Sequence, residues 1–220
     1  MLLDMAGEFQ TALWETAWML GIATLFSIII GVPLGIFLFA TSKGMFWQNK
    51  MIQSLAGTII NIFRSLPYMI LLILLIPLTK WLLGTTTGPT AASISLTIAG
   101  IPFYARLVET ALREIDRGVI EAAEACGASS WLIIKEVLIP EAKSGMIAGL
   151  TITMISLLGY SAMAGMIGGG GLGDLAIRFG YHRFQTEVMI ATVIILIILV
   201  QLIQWLGDRL AKRAKKVAQS

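Results

Sequence analysis

The chain has 220 residues, of which 57% are hydrophobic and 13% are charged, and its formal net charge is +3. Its mean hydropathy is +0.84. Soluble domains carry about 25% charged residues, so this composition excludes an ordinary soluble protein and predicts an integral membrane protein. The net charge requires no nucleic-acid partner, because basic residues beside anionic membrane lipid account for it.

Five apolar runs are long enough to cross a bilayer as helices. About 20 residues at 1.5 Å rise span a hydrocarbon core about 30 Å thick. Continuous runs of this length favour helices over a β-barrel, whose strands are about 10 residues long, so the predicted fold class is all-α. In chain order, the predicted spans cover residues 17–40, 52–79, 90–108, 145–167 and 188–206.

Basic residues are concentrated in and beside the loops that follow spans one, three and five, where all but four of the 16 Lys and Arg residues lie. Because basic loops stay in the cytoplasm, the N-terminus is predicted outside and the C-terminus in the cytoplasm. The predicted parts are an outer segment 1–12, a transmembrane domain 13–206 and a basic cytoplasmic tail 207–220. Residues 109–140 form the longest polar loop, on the cytoplasmic side.

This polar loop contains the stretch EAAEACGASSWLIIKEVLIP, from Glu121 to Pro140. Asp116 is expected to cap a short helix that ends at Gly127, because Asp accepts from a first helical turn and Gly tolerates the left-handed conformation. Ser129 or Ser130 is expected to cap a second short helix, which Pro140 stops at the start of span four. Its i, i+3, i+7 spacing predicts an apolar face of Trp131, Ile134 and Leu138. By composition alone, the loop can equally be an amphipathic segment lying on lipid headgroups.

The spacing EAA-x3-G-x9-V-x-I-P resembles the cytoplasmic signature of ABC importer permeases, which is written EAA-x3-G-x9-I-x-L-P. Val137 and Ile139 replace Ile and Leu of the signature, and both remain apolar. The resemblance assigns coupling with an ATPase to Glu121, Ala122, Ala123, Gly127 and Pro140.

Three further stretches resemble the permeases of bacterial methionine ABC importers: NIFRSLPYMILL (61–72), GIPFYARLVETALREI (100–115) and LLGYSAMAGMIGGGGLGDL (157–175). The resemblance implies a type I importer permease in the bacterial inner membrane. It implies a homodimer, two cytoplasmic ATPase subunits, and a periplasmic or lipid-anchored binding protein that delivers L- and D-methionine. ATP and Mg²⁺ belong to the ATPase subunits, so this chain is expected to hold no cofactor, no metal and no catalytic residue.

A glycine motif points elsewhere, since Gly168, Gly170 and Gly173 fit the dinucleotide-binding spacing G-x-G-x-x-G. That motif needs a preceding strand and a following helix in a βαβ unit, whereas these residues follow a membrane span. We interpret them as a flexible outer loop whose glycines permit turns and close helix packing. The sequence has no Gly-Lys dipeptide and so no Walker A loop, and its energy must come from another subunit.

Polar residues inside the spans are candidates for a translocation pathway. Arg64 costs about 2.5 to 3.5 kcal/mol in span two unless it is paired or faces water, so it is either a pathway or dimer residue or it snorkels to the interface. Pro67 is expected to kink that span. Intramembrane hydroxyls usually join helices, but the resemblance around GYSAM favours a pathway for Ser156, Tyr160, Ser161 and Met163.

Small residues spaced by four predict close helix packing at Gly31 with Gly35 and at Gly145 with Gly149. Two alternative functions stay open. The first is a permease for another small amino acid or related solute. The second, less favoured, is an ATPase-independent secondary carrier, which normally shows internal repeats or ion-binding carboxylates within its spans.

Overall fold

The computed structural model describes residues 5–218, and every regular element in that range is helical. The α-helices in chain order are α1 (Ala6–Ala40), α2 (Lys50–Ser65), α3 (Tyr68–Leu74), α4 (Ile76–Leu83), α5 (Pro89–Arg113), α6 (Arg117–Ala125), α7 (Ser130–Ile133), α8 (Ile139–Gly165), α9 (Gly171–Leu175) and α10 (Thr186–Ala218). Two π-helical turns, Ile134–Leu138 and Ala176–Tyr181, lead into α8 and follow α9.

Four of the described helices are long and apolar enough to cross a membrane: α1, α5, the continuous helix from α7 to the end of α8, and α10. A fifth crossing exists if α2 and α3 are counted as one broken span. These correspond in order to the five apolar runs of the sequence.

The second span is not the continuous helix that residues 52–79 predicted. It breaks between α2 and α3 with a bend of 102°. Leu66 and Pro67 are both extended there, with ψ of 129° and 133°. Proline disfavours the helical conformation of the residue before it and lacks the N–H that would continue the ladder. The kink predicted at Pro67 is therefore confirmed, and it is sharp enough to divide the span.

The two ends of the chain are more helical than their polar composition indicates. Helix α1 begins at Ala6, within the predicted outer segment 1–12, and α10 continues to Ala218, within the predicted tail 207–220. Residues 1–4 and 219–220 lie outside the described residues.

Helix α5 packs between α1 and α8 through small residues. A Cβ atom added to Gly35 would lie 2.6 Å from the carbonyl oxygen of Ala105, and one added to Gly145 would lie 2.9 Å from the Cβ of Ala111. These distances leave no room for a side chain, so α1 and α8 approach α5 at nearly backbone contact. The predicted packing role of the Gly31/Gly35 and Gly145/Gly149 pairs is confirmed.

Each end of the bundle gathers loops that are far apart in sequence. At one end, the guanidinium of Arg117 lies 3.6 Å from where a Cβ of Gly44 would be, and Ser144 Oγ donates to the carbonyl of Ala211 at 3.0 Å. The predicted cytoplasmic loops therefore share one end. The N-terminal part of α1 contacts α9 at the other end, where Gly171 N–H donates to Glu15. Which end faces the cytoplasm stays a prediction.

Candidate coupling loop and translocation face

Helix α6 is capped at both ends by the residues that the sequence indicated. At its start, Asp116 Oδ1 accepts from the N–H of Gly118 at 2.8 Å. At its end, Gly127 has a φ of +78°, its N–H donates to Glu124 at 2.9 Å, and Ala128 N–H donates to Ala123 at 3.1 Å. This pair of hydrogen bonds is the Schellman motif, in which a left-handed glycine satisfies the last carbonyls of a helix. The cap and the stop are confirmed.

One side of α6 is anchored in the protein and the other is bare. Ile120 is buried in an apolar cluster with residues of α5 and α8, and Ala123 packs at its edge. A Cβ atom on Gly127 would meet nothing within 4 Å. The exposed residues between positions 121 and 127 are Glu121, Ala122, Glu124, Ala125, Cys126 and Gly127. Three of the five predicted coupling residues, Glu121, Ala122 and Gly127, thus lie on a bare surface of small side chains edged by two carboxylates, and Ala123 lies half-buried beside it.

The fifth, Pro140, does not stop a helix as predicted. Ser129 caps α7 by accepting from Leu132 N–H at 3.4 Å, and the chain then passes through a π-helical turn directly into α8. Ile139 N–H donates to the carbonyl of Ile134, five residues back, and Pro140 lies in the first turn of α8. The wider turn removes the clash that a proline ring makes with the carbonyl four residues before it. Helices α7 and α8 therefore form one continuous piece.

The predicted apolar face of this segment is also corrected. Ile134 and Leu138 are fully buried, but Trp131 is 66% exposed, and Ile133 takes its place in the core. Residues at adjacent positions share the buried side because a π-helical turn changes the angular spacing along the helix.

Helix α8 presents one uncovered face that includes three of the predicted pathway residues. Ser156 and Tyr160 are half-buried, and Met163 is 42% exposed. Ser156 Oγ donates to the carbonyl of Ile152 at 2.9 Å, so its hydroxyl is satisfied within the helix. The opposite side of α8, which includes Leu157 and Leu158, is buried.

Ser161 does not lie on the uncovered face. It is buried, and its Oγ donates to the carbonyl of Leu158 at 2.8 Å. Five residues from Ser156 correspond to about 500° of rotation, which brings Ser161 to the packed side of α8. The structure therefore separates Ser161 from Ser156 and Met163.

Tyr160 has a partner that sequence reasoning missed. Its ring stacks on Tyr68 with centroids 4.6 Å apart and planes inclined by 7°. The hydroxyls of Tyr68 and Ser95 lie 3.0 Å apart, so an aromatic and polar cluster joins α3, α5 and α8. The only signal in the sequence was an aromatic residue directly after Pro67.

Arg64 lies at the last turn of α2, immediately before the bend. Its side chain is exposed, its guanidinium carbon is 6.0 Å from the ring centroid of Phe103, and it forms no ion pair with any described residue. A cation at a helix C-terminus is stabilised by the helix dipole. Arg64 therefore lies in the same broken span as Tyr68, whose ring contacts Tyr160 of α8.

Sequence reasoning also missed a buried carboxylate near the C-terminal end of α5. Glu109 is 1% exposed, accepts from Arg106, and accepts from Arg113 at 2.7 and 3.1 Å. Arg106 also donates to Asn61 Oδ1 at 3.1 Å, which ties α2 to α5. The spacing R-x-x-E-x-x-x-R places all three charged residues on one helix face, and this pattern was the available signal.

The glycine-rich segment is packed rather than flexible. Gly169, Gly171 and Gly173 are buried, and Gly171 N–H donates to Glu15 at 2.7 Å. Leu172 N–H donates to the hydroxyl of Thr16 at 2.9 Å. No strand precedes these residues in the described chain, so the dinucleotide-binding fold is absent there. The glycines allow close packing, as expected, but they form a fixed turn against α1.

Comparison with known proteins agrees with this architecture. The family described as binding-protein-dependent transport system inner membrane component matches residues 31–216. The probable D-methionine transport system permease protein MetI of Vibrio cholerae is 47% identical, over 92% of this chain and 90% of that protein. The methionine import system permease protein MetP of Bacillus subtilis is 50% identical, over 91% of this chain and 90% of that protein.

A solved structure is similar over the same extent. A chain of the MetNI methionine ABC transporter, in inward-facing conformations, superposes with a TM-score of 0.94 at 42% identity. The match covers 96% of this chain and 98% of that chain. The predicted all-α type I importer permease fold is confirmed. The chain therefore belongs to the family of binding-protein-dependent transport system inner membrane components.

Proposed function

We propose that this chain is the membrane-spanning permease subunit of an ATP-driven importer that carries methionine into the cytoplasm of a bacterium. The observation that carries the proposal is the capped, small-residue helix α6, which a short turn at Gly127 connects to the continuous helix of α7 and α8. The choice of methionine rests on the relatives, whose names state methionine or D-methionine transport. We extend it to both L- and D-methionine.

The proposed complex contains two copies of this chain, two cytoplasmic ATPase subunits and a periplasmic or lipid-anchored binding protein. Helix α2 packs little against the rest of this chain, since Ile60 is its one buried residue, and its exposed apolar side chains are free to contact lipid or a second copy. ATP and Mg²⁺ are held by the ATPase subunits, in agreement with the missing Walker A loop. The complex lies in the bacterial inner membrane, with the N-terminus outside.

Coupling begins at the bare side of α6. An ATPase subunit contacts Glu121, Ala122 and the turn at Gly127, where small side chains permit close approach and the two carboxylates supply edge charge. Ile120 anchors α6 in the same core as α5 and α8. Movement of α6 is therefore passed on through the π-helical turn and Pro140, because packed helices move more readily as rigid units than they bend.

The pathway lies along the uncovered face of α8 at the axis between the two copies. Ser156, Tyr160 and Met163 line it, and Arg64 lies at its border beside the broken span. Methionine is a flexible thioether zwitterion, which hydroxyls and a pliable Met side chain can pass without a deep site. Ser161 is buried behind this face and is assigned to helix packing.

Reconstitution in proteoliposomes tests the function. The chain is combined with its ATPase and its binding protein, and uptake of labelled methionine is measured with each component and ATP left out in turn. We expect uptake only with all components, and competition by unlabelled L- and D-methionine. Uptake by the chain alone contradicts the ATP-driven mechanism, whereas ATP-driven uptake of another amino acid in preference to methionine contradicts the substrate.

A further inference from the structure

A cavity of about 500 Å³ opens at the end of the bundle where α1 and α5 terminate. Three basic side chains from three elements line it: Lys43 from the loop after α1, Arg113 from the last turn of α5, and Arg117 from the first turn of α6. No Asp or Glu is among the described residues that line it. The arrangement is independent of the bare side of α6 and of the α8 face.

Part of the cavity wall is apolar. Phe39, Ile115 and Ile120 form part of the lining, and each is buried in the core cluster around α5. Gln53 of α2 adds an amide to the lining. A ligand that fills the cavity therefore needs an anionic group and an adjoining apolar part.

The charged groups in and beside the cavity leave it with a net positive charge. Arg113 binds the carboxylate of Glu109, which is shared with Arg106. Neither Lys43 nor Arg117 forms an ion pair with any described residue. The neighbouring Asp116 does not line the cavity, and its carboxylate accepts from the N–H of Gly118.

We propose that this cavity binds the phosphate of an anionic phospholipid headgroup, one lipid per protomer. A guanidinium and an ammonium suit phosphate oxygens, and the first forms paired hydrogen bonds with them. The ends of two spanning helices mark the depth of the headgroups. Trp47, four residues after Lys43, is 45% exposed, as expected of an aromatic side chain at that depth. Inorganic phosphate shares the anionic chemistry but cannot use the apolar wall.

The test compares two variants that each remove two positive charges. The double variant Lys43→Gln/Arg117→Gln removes two charges that line the cavity. The double variant Lys212→Gln/Lys215→Gln removes two charges from exposed sites on α10. Arg113 is left intact, because replacing it would remove one of the two ion-pair partners of the buried Glu109. Native mass spectrometry of the purified complex, titrated with phosphatidylglycerol or phosphatidylcholine, measures lipid affinity. Each basic residue at a membrane surface changes affinity about fivefold, so the cavity variant should bind phosphatidylglycerol about 25-fold more weakly.

The α10 variant should lose much less affinity for phosphatidylglycerol than the cavity variant, because its exposed lysines form no enclosed site, and phosphatidylcholine should bind weakly to every form. Equal weakening in both variants, or equal binding of the two lipids, overturns the site. Displacement of phosphatidylglycerol by low millimolar inorganic phosphate assigns the cavity to a free anion instead. Loss of the ATPase subunit from the cavity variant in lipid-free detergent assigns it to a protein contact. The single variant Lys43→Gln, expected to bind about fivefold more weakly, replaces the double variant if that one does not fold.

Discussion

Gly127 has a left-handed backbone, with a φ of +78°, and a Cβ atom added to it would meet nothing within 4 Å. An L-residue in this conformation costs roughly 1 to 2 kcal/mol because its Cβ crowds the following carbonyl. A substitution therefore strains the turn without filling any internal space. Whatever else it disturbs lies outside this chain.

Replacing Gly127 with Val should lower ATP-driven methionine uptake and ATPase association severalfold, because the turn distorts and a branched side chain enters the bare surface. Gly84→Val is a matched control, since Gly84 has a φ of +73°, has nothing within 4 Å of its Cβ position, and ends α4 instead. Co-purification of the ATPase and uptake in proteoliposomes provide the measurements. Equal losses in both variants contradict the assignment of α6 to coupling.

Glu109 makes the opposite kind of contribution, because its partners are all internal. Glu109→Ala leaves Arg106 and Arg113 without their shared acceptor, although these side chains are 30% and 51% exposed and water replaces part of the interaction. We expect a loss of about 1 to 3 kcal/mol in the free energy of unfolding. Glu109→Gln keeps an acceptor and should lose less.

Glu114, an exposed residue at the C-terminal end of α5, is the control for this measurement. Glu114→Ala should change the free energy of unfolding by less than about 0.5 kcal/mol. Denaturant or thermal unfolding of the purified proteins in detergent compares the three variants. If the alanine variants at 109 and 114 have equal free energies of unfolding, the ion-pair network of Glu109 does not stabilise the fold.

At the scale of elements, α8 divides its circumference between packing and an open face. Its buried side meets α1, α5 and α10, and glycine contacts at Gly145 and Gly149 bring it close to α5. Its N-terminal end is continuous with α7. A helix held on one side and joined to the coupling loop can shift as a unit while its open face stays available.

Cysteine reactivity distinguishes the sides of α8. In a Cys126→Ala background, Ser156→Cys and Met163→Cys should react with a small water-soluble thiol reagent, and ATP with binding protein should change the rate. Ser161→Cys is buried, and Met154→Cys lines an apolar groove with α1 and α10, so both should stay unreactive. Equal labelling at all four positions, or none at 156 and 163, removes the pathway from this face.

The whole molecule has two chemically distinct ends, and the native Cys126 reports on one of them. Cys126 is exposed at the end of α6. If that end faces the cytoplasm, a membrane-impermeant thiol reagent should label Cys126 only after cells are permeabilised. Thr85→Cys, exposed beyond α4 in a Cys126→Ala chain, should be labelled in intact cells. The reverse pattern inverts the predicted topology.

Local chemistry made much of this molecule predictable from its sequence. Spans, the caps at Asp116 and Gly127, and small-residue pairs depend on a few neighbouring residues, and all appear in the structure. The size of the bend at Pro67, the π-helical turn before Pro140 and the buried side occupied by Ser161 depend on how whole helices pack. The stacking of Tyr160 on Tyr68 joins residues that no local pattern connects. The signature predicts which residues of α6 contact the ATPase, whereas a prediction of the pathway face requires the orientation of α8, which the structure provides.

The hydrogen bonds between α1 and the glycine-rich turn have a consequence for biogenesis. Glu15 and Thr16 hold Gly171 and Leu172, which are 156 residues further along the chain. During synthesis, α1 is made long before these partners, so Glu15 and Thr16 lack these hydrogen bonds while α5 and α8 are made. Contacts of such high sequence separation form late. We therefore expect the α1–α5 contact to form before the glycine-rich turn does, and a nascent chain stalled before residue 171 to have α1 inserted without its hydrogen bonds to Gly171 and Leu172.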